Sequence, residues 1–172
     1  SYTKRQMTVA IIKPTSKQHL AWEAFKNPEI TDILYGGAAG GGKSYWACQV
    51  AVVCCLELPG ATIGMARKKF TTLMKTTYGT LIKVFGDMGM SKDEWVFRGQ
   101  PYNDITFKNG SKIYLLDVAY QPSDPNFDNL GGLELTHAFG EEIAEWNKKA
   151  WEVLQTRIGR NNVSPGTFLG AA

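Results

Sequence analysis

The run Tyr35-Gly36-Gly37-Ala38-Ala39-Gly40-Gly41-Gly42-Lys43-Ser44 constrains this chain more than any other stretch. From Gly37 onward it reads G-x-x-x-x-G-K-[ST], the pattern of a phosphate-binding loop. Polyphosphate is held by backbone N–H groups at short range, and side chains at those positions block the approach. The glycines between Gly36 and Gly42 remove that obstacle and admit positive φ angles. Lys43 then meets the β- and γ-phosphates as a point charge, and the Ser44 hydroxyl is suited to Mg²⁺. Ile30 to Tyr35 reads as a short strand, and Ser44 to Leu58, free of Pro and Gly, reads as a helix. Strand, loop and helix together predict a nucleotide site.

The remaining composition narrows the class without naming a partner. At 172 residues with 44% hydrophobic content, the chain is long enough for one domain with a sizeable core. A net charge of +3 and a pI near 8.7 are compatible with a polyanionic partner but do not require one. Cys48, Cys54 and Cys55 all fall in the helix after the loop, with no C-x-x-C spacing, so they read as buried apolar residues in a reducing compartment. No long apolar span or signal peptide is legible, which predicts a protein with no membrane association. Gly166 to Gly170 reads as a strand just beginning, with two alanines after it. The expectation is a single domain over 1–172 that is a piece of a longer protein.

In chain order, Ser16 is a plausible N-cap for a helix carrying Leu20, Ala21, Trp22 and Phe25. Gln18 lies about twenty-five residues before Lys43, where an amide can offer donor and acceptor to an adenine edge. An exposed first-turn residue is the plain alternative. Ala61 to Ala66 reads as a buried strand with Arg67-Lys68-Lys69 at its carboxyl end, where open α/β sheets bind ligands. Phe70 to Phe85 is an amphipathic helix. Trp95–Phe97, Asp104–Phe107 and Lys112–Leu116 are β-rich runs, and Asn109-Gly110 signals a hairpin. A small antiparallel β insertion is predicted, with Lys112–Leu116 also eligible for the main sheet. Val118 to Leu130 reads as a polar surface loop, Leu135 to Phe139 as a buried strand, and Asn147 to Gly159 as a helix.

Hydrolysis needs a carboxylate near Mg²⁺ and a group that orients or deprotonates water. Glu141-Glu142 is the pair of acids that ends an apolar run, which delivers both to the carboxyl edge of the sheet. Glu141 is assigned to the Mg²⁺ shell through water, and Glu142 to the lytic water. Acids there also suit the start of the following helix, whatever their chemistry. His19 and His137 have no neighbouring ligand set, and His137 reads as a core histidine.

These features together form an ordered set. Thr15-Ser16-Lys17-Gln18, the loop Gly36 to Ser44, and Ala66-Arg67-Lys68-Lys69-Phe70 with Leu73 come first. Gly131-Gly132-Leu133-Glu134 then leads into Ala138-Phe139-Gly140-Glu141-Glu142-Ile143-Ala144-Glu145-Trp146. The chain thereby resembles the ATPase domain of the large terminase subunit of tailed bacteriophages over roughly residues 10–170.

The resemblance implies an α/β P-loop NTPase of the class with a catalytic Glu and an added strand between the Walker A and Walker B strands. The sheet would be mainly parallel and flanked by helices. It implies ATP and Mg²⁺ as cofactors, and ATP-driven movement of double-stranded DNA into a procapsid. Portal protein, small terminase subunit and further copies in a ring would be the partners, in the host cytoplasm. Carried over by position, Gln18 would contact adenine, Gly37, Ala38, Ala39, Gly40, Gly41, Gly42, Lys43 and Ser44 would form Walker A, and Glu141 and Glu142 would form Walker B and the catalytic carboxylate.

Three departures stand out. Glu141 occupies a position usually held by Asp, Ala38-Ala39 stand where many relatives have Arg, and the family's coupling segment and nuclease domain are absent from these residues. Arg67, Arg157 and Arg160 are the candidate Arg fingers. A helicase- or RecA-like ATPase, or an ATP-binding assembly module completed by a neighbouring subunit, are the other readings left open.

Overall fold

The computed structural model describes residues 16–27, 32–35, 42–161 and 167–171. The elements run α1 (Ser16–Lys26), β1 (Asp32–Tyr35), α2 (Lys43–Glu57), β2 (Thr62–Arg67) and α3 (Phe70–Thr72), followed by a π-helical segment, Leu73–Tyr78, and α4 (Gly79–Asp87). Then come β3 (Trp95–Arg98), β4 (Asp104–Phe107), β5 (Lys112–Asp117), α5 (Asp128–Gly131), β6 (His137–Glu141), α6 (Lys148–Arg157) and β7 (Thr167–Ala171).

The seven strands form one sheet in the order β1-β7-β6-β2-β5-β4-β3. The first five are parallel, and β4 and β3 extend the sheet antiparallel. Lys112–Asp117 thus belongs to both parts: it pairs parallel with β2 on one side and antiparallel with β4 on the other. The added strand expected from the resemblance is β7, which lies between β1, leading into the phosphate loop, and β6, ending in the acids.

Helices cover both faces, so the central strands carry apolar residues on both sides. Ile63 and Met65 point to a core shared with α2 and α4, while Ala66 and Ala138 face the core of α6. Helix α2 is apolar nearly all round, with Trp46, Ala47, Cys48, Val50, Ala51, Val52, Cys54 and Cys55 buried, as a helix sandwiched in a core must be. Gly64 is small by necessity. A Cβ there would meet Leu135 Cδ1 at 3.0 Å and Leu116 Cδ1 at 3.2 Å.

The hairpin between β4 and β5 turns at Asn109-Gly110, with Gly110 at φ 84°. Its tip closes the end of α2: Asn109 Nδ2 and Ser111 Oγ donate to the Cys55 carbonyl at 2.7 and 2.8 Å. That carbonyl belongs to the last turn of a helix, where intrahelical donors run out. The segment after β5 is a mostly exposed loop, as the sequence predicts, but it is anchored to the core. Val118, Phe127 and Leu130 are buried, and Asp124 accepts hydrogen bonds from the Asp128 and Asn129 amides at 2.8 and 3.2 Å. Three apolar anchors spaced irregularly through a polar stretch carry no periodicity for a sequence reading to detect.

His137 lies within β6, 4% exposed, with its ring 4.9 Å from Phe25. Burial pushes its pKa down to about 4 from the usual 6.5. The unfolded chain therefore takes up a proton that the folded chain refuses. Stability is full above about pH 6.5 and falls as the pH drops toward 4. Between pH 7 and 4, urea unfolding should show the parent losing on the order of 3 kcal/mol more than His137→Phe. Parallel losses in both chains would contradict this account of His137.

Candidate nucleotide site

Strand register brings distant residues level at the carboxyl edge of the sheet. Tyr35, the last residue of β1, pairs with Ala171, and Ala171 pairs with Glu141. The exit of β1 into the glycine loop is therefore level with Glu141 across one strand, roughly 10 Å at two strand spacings. On the other side, Ala66 pairs with Gly140, so Arg67 and Glu141 leave the sheet together. Arg67 in turn is level with Asp117 at the end of β5.

Arg67 and Glu141 form a buried ion pair, Nη2 to Oε2, with side chains 10% and 6% exposed. The other guanidinium nitrogen, Nη1, stands 4.0 Å from Glu142 Oε1, whose side chain is 55% exposed. The two acids thus have different settings: Glu141 is held inside, and Glu142 reaches water. Cys48, in the second turn of α2, reports the same proximity. Its thiol is pushed well above the ordinary range, first by burial and then by the Glu141 charge, against the opposing effect of Arg67.

Backbone geometry separates the acids. Glu142 has φ 53°, in the left-handed region, and starts a 3-10 turn over Ile143–Glu145. Trp146 closes that turn: its amide bonds the Ile143 carbonyl at 3.1 Å and its indole Nε1 donates to the Glu141 carbonyl at 3.0 Å. Beyond Glu142 lies an open cleft of about 180 Å³, lined by Arg67, Lys68, Lys69, Thr72, Glu142 and Glu145.

Of the predicted phosphate loop, the described part is its end. Gly42 has φ 72° and ψ 14°, the left-handed conformation for which glycine is suited, and its carbonyl accepts the Trp46 amide at 3.0 Å. Lys43 and Ser44 open α2 directly after it. Gly37, Ala38, Ala39, Gly40 and Gly41 lie outside the described residues. Gln18 falls in the first turn of α1, with its side chain also outside the description.

Among the described residues, no cluster of three or more His, Cys, Asp or Glu could hold a metal by itself. Mg²⁺ needs no such cluster, because it keeps waters and takes phosphate oxygens alongside one or two protein ligands. Glu141 fits that part, since its Oε1 is buried without a hydrogen-bond partner. Ser44 and Glu141 are therefore the residues that would hold the ion.

The three candidate arginines are not equivalent. Arg67 is at the site, in its own chain. Arg157 donates through Nη1 to the Gly131 carbonyl, and its own carbonyl accepts the Leu135 amide at 3.0 Å. Arg160 donates through Nε to the Thr156 carbonyl at 3.1 Å, one residue before Asn161, whose amide bonds the Leu135 carbonyl at 3.3 Å. Leu135 precedes β6, so both lie toward the amino edge of the sheet, away from Glu141.

Sequence reasoning did not identify Arg67 as the partner of Glu141, Trp146 as the closure of the turn, or Asp117 as a further acid in the row. An acid or Arg ending an apolar strand was the available signal, and Asp117 carries it alone rather than as a pair.

A parallel sheet with β7 between the loop strand and the acid-bearing strand, and a glycine loop running into a buried helix, defines the fold of a P-loop NTPase. No protein-family model matches the chain, and no curated protein does. Within that class, its fold is the one found in phage large terminases. The large terminase of a thermophilic bacteriophage matches with a TM-score of 0.68 at 18% identity, over 93% of this chain and 39% of that one. The HK97 bacteriophage large terminase matches at 0.71 and 9% identity, over 93% of this chain and 33% of that one. The N-terminal domain of the DNA packaging ATPase from bacteriophage phi29 matches at 0.59 and 13% identity, over 92% and 77%. The chain spans well under half the length of the two large terminases. Among its described residues, no helix is long and apolar enough to cross a membrane.

Proposed function

We propose that this chain is the Mg²⁺-dependent ATPase domain of a viral packaging motor that drives double-stranded DNA into a procapsid. The observation that carries the reading is the level row of Tyr35, Glu141 and Arg67, which sets a buried carboxylate beside the exit to a phosphate-binding loop. The thermophilic phage terminase of this fold has been solved with ADP and with ATP-γ-S, which supports nucleotide binding by this chain.

In this reading the amides of Gly37 to Gly42 cradle the phosphates, Lys43 neutralises the β- and γ-oxygens, and Gln18 reads adenine. Mg²⁺, held by Ser44 and Glu141, would supply charge neutralisation between the phosphates. Glu142, reaching solvent, orients a water toward the γ-phosphorus and accepts its proton as the bond to the bridging oxygen breaks. Arg67 holds Glu141 in place through their buried ion pair.

A finger from the neighbour's Arg157 or Arg160 would complete the site in a ring on the portal. The small terminase subunit would be a further partner in the host cytoplasm. The amino-edge placement of both residues, remote from Glu141 in their own chain, favours that trans arrangement over one in cis. DNA would be held chiefly through its phosphates.

The test is phosphate release from ATP with Mg²⁺ across a protein-concentration series. The parent is expected to release phosphate, with turnover rising more than linearly as neighbours meet, and Lys43→Ala to release none. Turnover equal in parent and Lys43→Ala would sink the proposal.

A further inference from the structure

We infer that Trp146 is a positioning residue for Glu142, acting through the Glu141 carbonyl; the inference rests on the assignment of Glu142 to the lytic water. Three observations converge on this ring. Its indole N–H donates to the Glu141 carbonyl at 3.0 Å, the peptide that joins the two acids. Glu142 occupies the left-handed region at φ 53°, a conformation that costs a residue with a Cβ and persists where the surroundings enforce it. The ring also fills the space over Gly140, where a Cβ would lie 2.7 Å from Trp146 Cη2 and 3.0 Å from Cζ2.

The glycine at position 140, directly before the acids, therefore has a physical reason. Absence of a side chain lets the indole pack close over Gly140 and reach the carbonyl one residue on. With the peptide after Glu141 clamped, the chain must turn at Glu142, and the carboxylate is aimed out of the sheet into the cleft while Glu141 stays with Arg67. Trp146 itself is 8% exposed and touches no reacting atom. Its contribution is direction.

The test uses the whole chain carrying Trp146→Phe, which keeps an aromatic ring and removes the N–H donor, with Gly140→Ala as a second variant that displaces the ring without removing it. Both are expected to lower kcat for phosphate release by about tenfold or more, with the Kd for ATP unchanged within about twofold. Backbone amide exchange over 142–146 should quicken in both. In the double variant, the kcat loss should be smaller than the product of the single losses, because Phe lacks the two indole atoms that an alanine Cβ meets and only the contact with Ile143 Cγ2 at 3.0 Å remains.

An unchanged kcat and unchanged exchange in folded Trp146→Phe would overturn the inference. So would a parallel loss of ATP affinity and kcat, which would make Trp146 a support of the whole fold. A parent that does not bind ATP fails the ATPase reading instead. Amide exchange still decides whether Trp146 sets the turn.

Discussion

Glu142→Gln is expected to lower kcat for phosphate release by a hundredfold or more, with ATP affinity retained. General-base and water-orienting carboxylates contribute about 10²–10⁴ in rate, and the amide keeps the shape while losing the basic oxygen. The fold should tolerate the change, because the Glu142 side chain is more than half exposed and its contact with Arg67 is at 4.0 Å. Glu152→Gln makes the same chemical change on α6, where Glu152 faces Lys148 at 3.8 Å, and should leave turnover within about twofold. Equal losses in the two variants would mean that net charge, not the place of Glu142, governs the rate. An active Glu142→Gln would move the base elsewhere in the cleft.

Arg67→Ala is expected to destabilise the fold by about 3–5 kcal/mol, because it strands a buried carboxylate without its partner. Glu141 has one oxygen on Arg67 and the other already unsatisfied, so little else in the chain can take up the charge. Urea unfolding reads the effect directly. The double variant Arg67→Met/Glu141→Leu, which removes both charges and fills the space, should recover most of the loss. It should not recover phosphate release. A single Arg67→Ala chain as stable as the parent would show that the pair is solvated in solution and that Glu141 is not held as described.

Much of this architecture is legible in the residues because local chemistry dictates it. A loop of glycines followed by fifteen residues of helix, α2, carries its own boundaries. Asn109-Gly110 carries its hairpin, and the two-sided apolar run before Arg67 carries a buried parallel strand. The place of Glu141 and Glu142 at the end of such a run is equally legible. What escaped detection depends on contacts made over long separations. Arg67 meets Glu141 across seventy-four positions, and only the register of β2 with β6 brings them level.

The left-handed turn at Glu142 is set by Trp146 and Gly140, whose contact with each other no spacing in the sequence announces. The π-helical segment Leu73–Tyr78 leaves no mark either, since its residues have the spacing of an ordinary amphipathic helix. Strand β6 begins at His137 rather than Leu135, because Leu135 forms an isolated bridge with Ile158 while its amide and carbonyl bond Arg157 and Asn161.

Equilibrium ATP binding by the parent and by Lys43→Ala tests the two-part nucleotide site most directly. The expected result is ATP bound by the parent in the presence of Mg²⁺, and binding weakened tenfold or more once the Lys43 ammonium no longer meets the phosphates. Lys43→Ala binding ATP as tightly as the parent would contradict the assignment of the glycine loop, and with it the roles given to Ser44, Glu141 and Glu142.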